Sequence, residues 1–275
     1  MLYTKKIIFT NFIERIKILN LILWFQRKLF KECYIRVINY HDTPKKFEYN
    51  FEQQLIFYKR NFCPVDLNDL EDLISGKWEK EKPGLIISFD DGLKSNYDIA
   101  APLLEKYGFT GWFFIPVGLI GTGKCKDSHH TGDKNCSYMS WNEIAELNKN
   151  HIIGCHTLTH CRLFSSLSEE KIKQEIINSK EILENKLNSK NDIFCWVGGE
   201  EETYTAKAAK YIREAGYRYS FMSNNKIILP GVNRFQLQRT NIEADWPLSL
   251  VKFYLSGIMD IIYTGKRNRV NRITE

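Results

Sequence analysis

Short apolar runs alternate with longer amphipathic stretches along most of the chain. The runs, typical of parallel strands buried on both faces, lie near residues 33–41, 85–90, 111–117, 151–156, 192–197, 217–222 and 235–239. Helix-like stretches separate them, at 51–61, 95–107, 141–148, 168–187 and 203–215. About seven strands separated by helices predict an α/β fold with a parallel sheet, either open or closed into a barrel.

One apolar run ends in two adjacent carboxylates. Residues 85–92 read LIISFDDG, so Asp90 and Asp91 follow a buried strand and Gly92 lets the chain turn away. Functional groups of α/β proteins gather at the carboxyl ends of strands. There, one carboxylate can bind a metal while the other takes a proton, as hydrolysis of an unactivated bond requires. The alternative is an ordinary turn, because Asp and Gly are common turn residues.

A second apolar run ends in two histidines. Residues 151–160 read HIIGCHTLTH, which places His156 and His160 four positions apart. This spacing predicts a helical turn with both imidazoles on one face, where both can bind one divalent ion. Together with Asp91 they supply two nitrogens and one oxygen and leave a position for water, as in catalytic sites. Two unrelated surface histidines are the alternative, which the Asp-Asp-Gly strand end makes weaker.

The two motifs in this order resemble those of a known family. SFDDG at 88–92 and HTLTH at 156–160 are similar to the first two motifs of the polysaccharide deacetylases, the NodB-homology proteins of carbohydrate esterase family four. The resemblance extends from about residue 34 to about residue 239. It implies a distorted (β/α)7 barrel and a hydrolase of non-peptide carbon–nitrogen bonds. Such enzymes remove N-acetyl, sometimes O-acetyl, groups from amino sugars.

The resemblance also assigns roles to residues. It implies that Asp90 is the general base, and that Asp91, His156 and His160 hold a divalent metal, usually Zn2+. The family's third motif normally carries an Arg that orients the base, but residues 194–200 read FCWVGGE. Arg239 resembles an Arg found in some branches and is a candidate contact of Asp90 or of substrate; a solvated charge or a structural ion pair are its alternatives.

Two aromatic residues are candidate substrate contacts. Trp196 could form a wall for a sugar ring, although a buried core Trp is the alternative. Tyr40 precedes His41 and Asp42 at the end of an apolar run. No His follows His160, so the family's late general acid is missing from its usual place. In the branch resembling biofilm-polysaccharide deacetylases the acid comes from an early Tyr-His-Asp.

We therefore expect His41 to be the general acid, since an imidazole titrates near neutral pH. A His that only caps a strand is the alternative. The altered third motif keeps a second function open, namely a catalytically degenerate barrel that binds a glycan or organises a complex. A metallopeptidase is disfavoured because no Glu follows His156.

The remaining features concern partners. The net charge of +6 is spread along the chain, which does not predict nucleic-acid binding. The basic cluster at 266–269 is expected to be a solvated tail. The loop containing His129 and His130, flanked by Cys125 and Cys136, is expected to lie over the cleft mouth without binding a metal.

The N-terminal segment, residues 1–31, is predicted to be an amphipathic helix preceding a catalytic domain at 32–275. Its apolar run at 18–25 is too short to span a bilayer. Basic residues within 5–28 are compatible with peripheral contact with a membrane; packing on the barrel or on a dimer partner is an equal alternative. No secretory signal is recognised, and the seven scattered cysteines favour free thiols over a disulfide framework. The expected location is the cytoplasm or its membrane face, and the expected partner is an N-acetylated sugar or polysaccharide.

Overall fold

The computed structural model describes residues 2–15, 18–123, 125 and 136–275. Nine strands form one sheet. They are β1 (Ile35–Tyr40), β2 (Cys63–Pro64), β3 (Gly84–Phe89), β4 (Gly111–Ile115), β5 (Ile152–Cys155), β6 (Ile193–Cys195), β7 (Tyr219–Met222), β8 (Leu237–Gln238) and β9 (Thr240–Asn241). The seven predicted apolar runs all coincide with strands of this sheet.

The sheet curls into a nearly closed parallel barrel. Its order is β8-β7-β6-β5-β4-β3-β1-β9, with β2 pairing beside β3, and each of these strand pairs is parallel. Only Arg239 separates β8 from β9. Because β8 pairs with β7 while β9 pairs with β1, this last segment joins the two ends of the sheet. The predicted distorted (β/α)7 barrel is confirmed.

Helices surround the barrel. They are α1 (Leu2–Arg15), α2 (Ile18–Leu29), α3 (Glu48–Asn61), α4 (Leu67–Ile74), α5 (Ala101–Tyr107), α6 (Trp141–Leu147), α7 (Glu169–Lys173), α8 (Ser179–Leu187), α9 (Ala206–Glu214), α10 (Leu248–Leu255), α11 (Ile258–Ile262) and α12 (Thr264–Thr274). The π-helical segments Asn96–Ala100 and Gln174–Asn178 extend α5 and join α7 to α8. The expectation of a solvated basic tail is wrong, because the cluster lies in α12 and Arg267 is buried.

Successive residues of each strand point to opposite sides of the barrel wall. Trp112 of β4 and Phe114 of β4 contact Phe221 of β7, with ring centroids 5.7 and 5.4 Å apart. These strands are not neighbours in the sheet, so the contacts cross the barrel interior. The interior cluster also contains Val37 and Cys195. The other set of strand residues packs beneath the helices.

The N-terminal helices pack against α10. Glu14 of α1 pairs with Lys252 of α10, and Leu19 and Leu23 of α2 are buried. One side of these helices is therefore buried by packing on the barrel domain, which was the alternative to contact with a membrane. None of the described helices is long and apolar enough to cross a membrane.

The cysteines differ from expectation at one place. Cys125 and Cys136 form a disulfide, so the prediction of free thiols throughout is wrong for this pair. Spacing alone did not reveal it, because two cysteines eleven positions apart pair only when the loop between them brings its ends together. The other five cysteines are free. His129 and His130 lie outside the described residues.

Candidate active site

Asp91, His156 and His160 converge at the carboxyl ends of β3 and β5. Asp91 Oδ1 lies 2.9 Å from His160 Nε2 and 3.6 Å from His156 Nε2. One ligand atom from each residue lies within 4.8 Å of the other two. The predicted convergence of these three side chains is therefore present in the structure.

The two histidines do not lie on a helical turn, so that expectation is wrong. The chain after β5 bends through left-handed conformations, with φ of 62° at Thr157 and 60° at His160. Asp91 also has a positive φ of 71°. Such conformations are unfavourable for residues other than glycine and cluster at functional sites. This bend, and not helical periodicity, places the two imidazole centroids 5.2 Å apart.

A buried carboxylate holds this bend in place. Glu175 accepts hydrogen bonds from the backbone N–H groups of Leu158 and Thr159, at 3.0 and 2.9 Å, and from the Thr159 hydroxyl at 2.7 Å. Lys171 pairs with the same carboxylate at 2.7 Å. Glu175 was not predicted from the sequence. Its signal was a carboxylate on the apolar stripe of a helix, next to Ile176.

The donor set fits a divalent cation. His156 Nδ1 donates a hydrogen bond to the carbonyl oxygen of Cys195 at 3.0 Å, which leaves the Nε2 lone pair facing Asp91. Burial lowers the pKa of His156 to about 4, so the imidazole is neutral at physiological pH. Asp91 Oδ1 is buried, and although it lies near His160 Nε2 it has no properly directed hydrogen-bond donor. An oxygen and two nitrogens that face one another in this way suit a metal ion.

A second set of three side chains is also close together, namely Asp90, His156 and Cys195. This set is a poorer metal site, because the cation Arg239 already neutralises Asp90. Burial also raises the pKa of the Cys195 thiol well above its usual value, which opposes the thiolate that a metal needs. Of the two sets, Asp91, His156 and His160 are therefore the better candidate for a metal position.

Asp90 is fixed by a buried network at the top of the barrel interior. Arg239 donates to its two oxygens at 2.7 and 2.9 Å, and Asn39 Nδ2 donates to Oδ2 at 3.0 Å. The predicted contact between Arg239 and Asp90 is confirmed. Burial alone would raise the pKa of Asp90, but the positive charge and the hydrogen bonds of Arg239 outweigh this effect and hold the pKa below its usual value. Asn39 was not predicted.

Arg239 does not contact substrate, which corrects its second expected role. Its side chain is 1% exposed, and its guanidinium also donates to Asn39 Oδ1 at 2.8 Å. The residue lies between β8 and β9, where the closing segment of the barrel crosses from β7 to β1. Arg239 thus contacts Asp90 from a different part of the chain than the third motif.

His41 lines the same cleft as Asp90 and Asp91. Its Nδ1 lies 3.0 Å from Glu243 Oε1. Burial alone would lower the pKa of His41, but the hydrogen bond and the negative charge of Glu243 raise it to about 9. The imidazole is therefore protonated at neutral pH, as a general acid must be. Glu243 was not predicted.

Tyr40 and Trp196 are not substrate contacts, and both expectations are corrected. Tyr40 is fully buried and shares hydrogen bonds with Gln54 at 2.6 Å and Tyr58 at 2.7 Å. Trp196 is 1% exposed and donates to Ser220 Oγ at 2.8 Å. Both residues belong to the cluster beneath the helices. Their strand neighbours point the other way, toward the barrel interior.

The cleft has a volume of about 350 Å3. Beyond the residues above, it is lined by Arg162, Val197, Gly198, Gly199, Glu200, Ser223, Asn241, Tyr263 and Lys266. Tyr263 and Lys266 come from the C-terminal helices, and Lys266 donates to the carbonyl oxygen of Gly199. Asp42, the residue after His41, accepts a hydrogen bond from Ser95.

Among curated proteins, the chain is similar to YxkH of Bacillus subtilis (strain 168). The two are 28% identical over 134 residues, which is 49% of this chain and 42% of that protein. The chain therefore matches less than half of the length of this relative.

Solved structures share the fold. IcaB from Ammonifex degensii has a TM-score of 0.68 at 22% identity, with 81% of this chain and 96% of that chain covered. The Streptococcus pyogenes deacetylase PplD, in complex with acetate, has a TM-score of 0.66 at 18% identity, with 81% and 97% covered. A de-N-acetylase from Aggregatibacter actinomycetemcomitans has a TM-score of 0.63 at 17% identity, with 80% and 99% covered.

The family model described as polysaccharide deacetylase matches residues 77–220. The matched region contains Asp90, Asp91, His156, His160 and Glu175, and it leaves out His41, Arg239 and Glu243. Since the match covers more than half of the 275 residues, the chain belongs to the polysaccharide deacetylase family.

Proposed function

We propose that this chain is a metal-dependent deacetylase that hydrolyses the N-acetyl group of an amino sugar in a polysaccharide or lipopolysaccharide. The observation that carries the proposal is one cleft that contains three side chains able to bind a metal, a carboxylate whose pKa is lowered and an imidazole whose pKa is raised to about 9. Amide hydrolysis requires a polarised carbonyl, a base for the attacking water and an acid for the leaving amine.

Asp90 is the base in this proposal. Arg239 and Asn39 fix both carboxylate oxygens and keep the group ionised, so it can take a proton from the water that attacks the acetyl carbonyl. The same contacts limit the rotation of the carboxylate. Its position is therefore set before substrate binds.

His41 is the acid. It is protonated at neutral pH through Glu243, and it donates its proton to the amine nitrogen as the carbon–nitrogen bond breaks. An amine is a poor leaving group without that proton, which supports N-acetyl over O-acetyl groups as substrate. The relative from Aggregatibacter actinomycetemcomitans, described as a de-N-acetylase, is in keeping with this choice.

Asp91, His156 and His160 would hold the metal. Two imidazoles and one carboxylate form the ligand composition of many catalytic zinc sites, so we propose Zn2+. When bound, the ion would supply Lewis acidity that polarises the acetyl carbonyl. His156 is fixed for this role by the Cys195 carbonyl, and the His160 backbone by the loop that Glu175 holds.

The alternative of a degenerate barrel loses its main support. It depended on the missing Arg of the third motif and on the missing late His. Arg239 contacts the proposed base, and His41 lines the cleft. Both residues come from parts of the chain other than the family's usual motifs.

The test is acetate release from N-acetylated amino-sugar oligosaccharides by zinc-reconstituted protein. We expect release by the natural sequence and loss of both bound zinc and activity in Asp91→Ala. Asp72→Ala, on the exposed face of α4, is the matched control and should retain both. Zinc-loaded protein that releases no acetate from any of these sugars would contradict the proposal, as would an Asp91→Ala variant of full activity.

A further inference from the structure

The two N-terminal helices expose an apolar face that the rest of the described chain does not cover. In α2 the residues Ile18, Leu21, Phe25 and Leu29 recur at helical spacing and are 40–63% exposed. We call the exposed large apolar residues of these helices the N-terminal face: Ile8, Phe9, Ile18, Leu21, Trp24, Phe25 and Leu29. The opposite side of α2, with Leu19 and Leu23, is already buried against the protein.

A second set of exposed apolar side chains lies on α11, next to α2. Helix α2 lies beside the turn that begins α11. If Gly257 in that turn carried a Cβ, the atom would lie 2.9 Å from the side-chain amide of Gln26 in α2. In α11 itself, Ile261 and Ile262 are 76% and 64% exposed. The next residue, Tyr263, lines the cleft. We call the N-terminal face together with Ile261 and Ile262 the strip, and its α11 part directly precedes a residue that lines the active-site cleft.

The charges around the strip are positive. Lys6, Lys28 and Lys31 are exposed. The three described acidic residues on or beside these helices are neutralised, Glu14 by Lys252, Glu32 by Arg27 and Asp260 by Arg36. An apolar strip bordered by lysines is complementary to a lipid bilayer with anionic headgroups. The acyl-chain region of the bilayer can bury the apolar side chains, and the anionic headgroups attract the lysine amines.

A second copy of this chain is a less suitable partner. A twofold interface on this strip would bring the lysines of both copies together without acidic partners in the segment, which is unfavourable. No described helix can cross the bilayer, so the contact is in the plane of the membrane surface.

We propose that α1, α2 and α11 bind an anionic lipid bilayer as a peripheral anchor and place the cleft at the membrane surface. The anchor goes beyond the proposed function, because lipid binding needs neither metal nor substrate. In combination with that function, it presents the cleft to acetylated saccharides that are attached to a membrane lipid.

The test is cosedimentation of the full chain with vesicles of phosphatidylcholine alone or mixed with phosphatidylglycerol. We expect binding to the mixed vesicles that weakens as salt is added. Leu21→Ser combined with Phe25→Ser should lower the partition coefficient by at least about tenfold. Lys28→Glu combined with Lys31→Glu should lower it by about tenfold on the mixed vesicles only.

Two further variants extend and control the experiment. Ile261→Ser combined with Ile262→Ser tests the α11 part of the strip and should also weaken binding. Tyr49→Ser removes an aromatic residue that is 75% exposed on α3, outside the strip, and should bind like the natural sequence. Thermal unfolding of each variant establishes that it is folded without reference to deacetylation.

Three outcomes would overturn the proposal. The first is absence of vesicle binding by folded protein at every phosphatidylglycerol content. The second is equal binding by the strip variants and by Tyr49→Ser. The third is a dimer of the natural sequence that does not bind vesicles, together with a monomeric Leu21→Ser and Phe25→Ser double variant, both measured by sedimentation velocity. That result would assign the strip to a second copy of the chain.

Discussion

Arg239 donates a hydrogen bond to each oxygen of Asp90, at 2.7 and 2.9 Å, across 149 positions of the sequence. The pair lies where the barrel closes, because Arg239 separates the strand segments that bind β7 and β1. The segment that closes the barrel therefore also fixes the proposed base, Asp90. A change at Arg239 should affect both stability and the ionisation of Asp90.

Replacing Arg239 by Met should reduce kcat by at least about 100-fold while zinc content is retained. Loss of the guanidinium raises the pKa of Asp90, and activity requires the ionised form. The acidic limb of the pH–rate profile should therefore move to higher pH. Unpairing a buried charge should also lower the free energy of unfolding by about 3–5 kcal/mol.

Arg269→Met is the matched control for this change. Arg269 pairs with Glu201 on the exposed side of α12, where a single ion pair contributes little. Kinetic profiles and denaturant unfolding of both variants provide the comparison. An unchanged acidic limb in folded Arg239→Met would show that Arg239 does not control Asp90.

The barrel, its strands and most of its helices could be predicted from the sequence, because strands buried on both faces leave continuous apolar runs. Such runs do not indicate whether a residue faces the barrel interior or the surrounding helices, since both sides of the barrel wall are apolar. The apolar runs are therefore equally compatible with Tyr40 and Trp196 as substrate contacts and as core residues. The residues that reach the site are their strand neighbours, Asn39 and Cys195, which share the inward side with Asp90.

Long-range pairing explains the other differences. Glu243 and Lys266 carry no local motif and reach the cleft only through the packing of the segments after β9. The basic cluster in α12 looked like a solvated tail for the same reason. Arg267 is buried because it donates to the carbonyl oxygens of Asn224 and Asn225, which lie just beyond β7. Composition gives no indication of such contacts.

Glu243→Gln should shift the basic limb of the pH–rate profile. His41 acts as an acid, so activity falls as pH rises through its pKa of about 9. Without the negative charge of Glu243 the pKa of His41 falls, and activity should be lost at lower pH than in the natural sequence. Glu214→Gln, on the exposed side of α9, is the control and should leave the limb in place. A basic limb that does not move in Glu243→Gln would exclude His41 as the acid.

Glu175→Gln should weaken metal binding although Glu175 is not one of the proposed metal ligands. The neutral amide cannot accept the hydrogen bonds of Leu158, Thr159 and Lys171 as strongly, so the left-handed bend that carries His160 becomes less fixed. We expect zinc affinity to fall by about 10–100-fold, as for other supports of metal ligands. The measurement is zinc competition with a chelator, with the exposed neighbour Glu170→Gln as control. Equal affinities in the two variants would contradict this role.

Trp196→Phe tests the correction of a predicted contact. A residue that binds sugar would raise KM when replaced, whereas a core residue lowers stability. Because Trp196 is buried and donates to Ser220, we expect unchanged KM and a loss of about 1 kcal/mol of unfolding free energy. Steady-state kinetics and urea unfolding separate the two outcomes. A raised KM at unchanged stability would restore Trp196 to the substrate site.

The most direct test of the metal assignment is anomalous diffraction from crystals of zinc-reconstituted protein. We predict one strong zinc peak at about 2.0–2.2 Å from a carboxylate oxygen of Asp91 and from Nε2 of both His156 and His160. A zinc peak bound instead by Asp90, His156 and Cys195, or fully loaded crystals without zinc at Asp91, would contradict it.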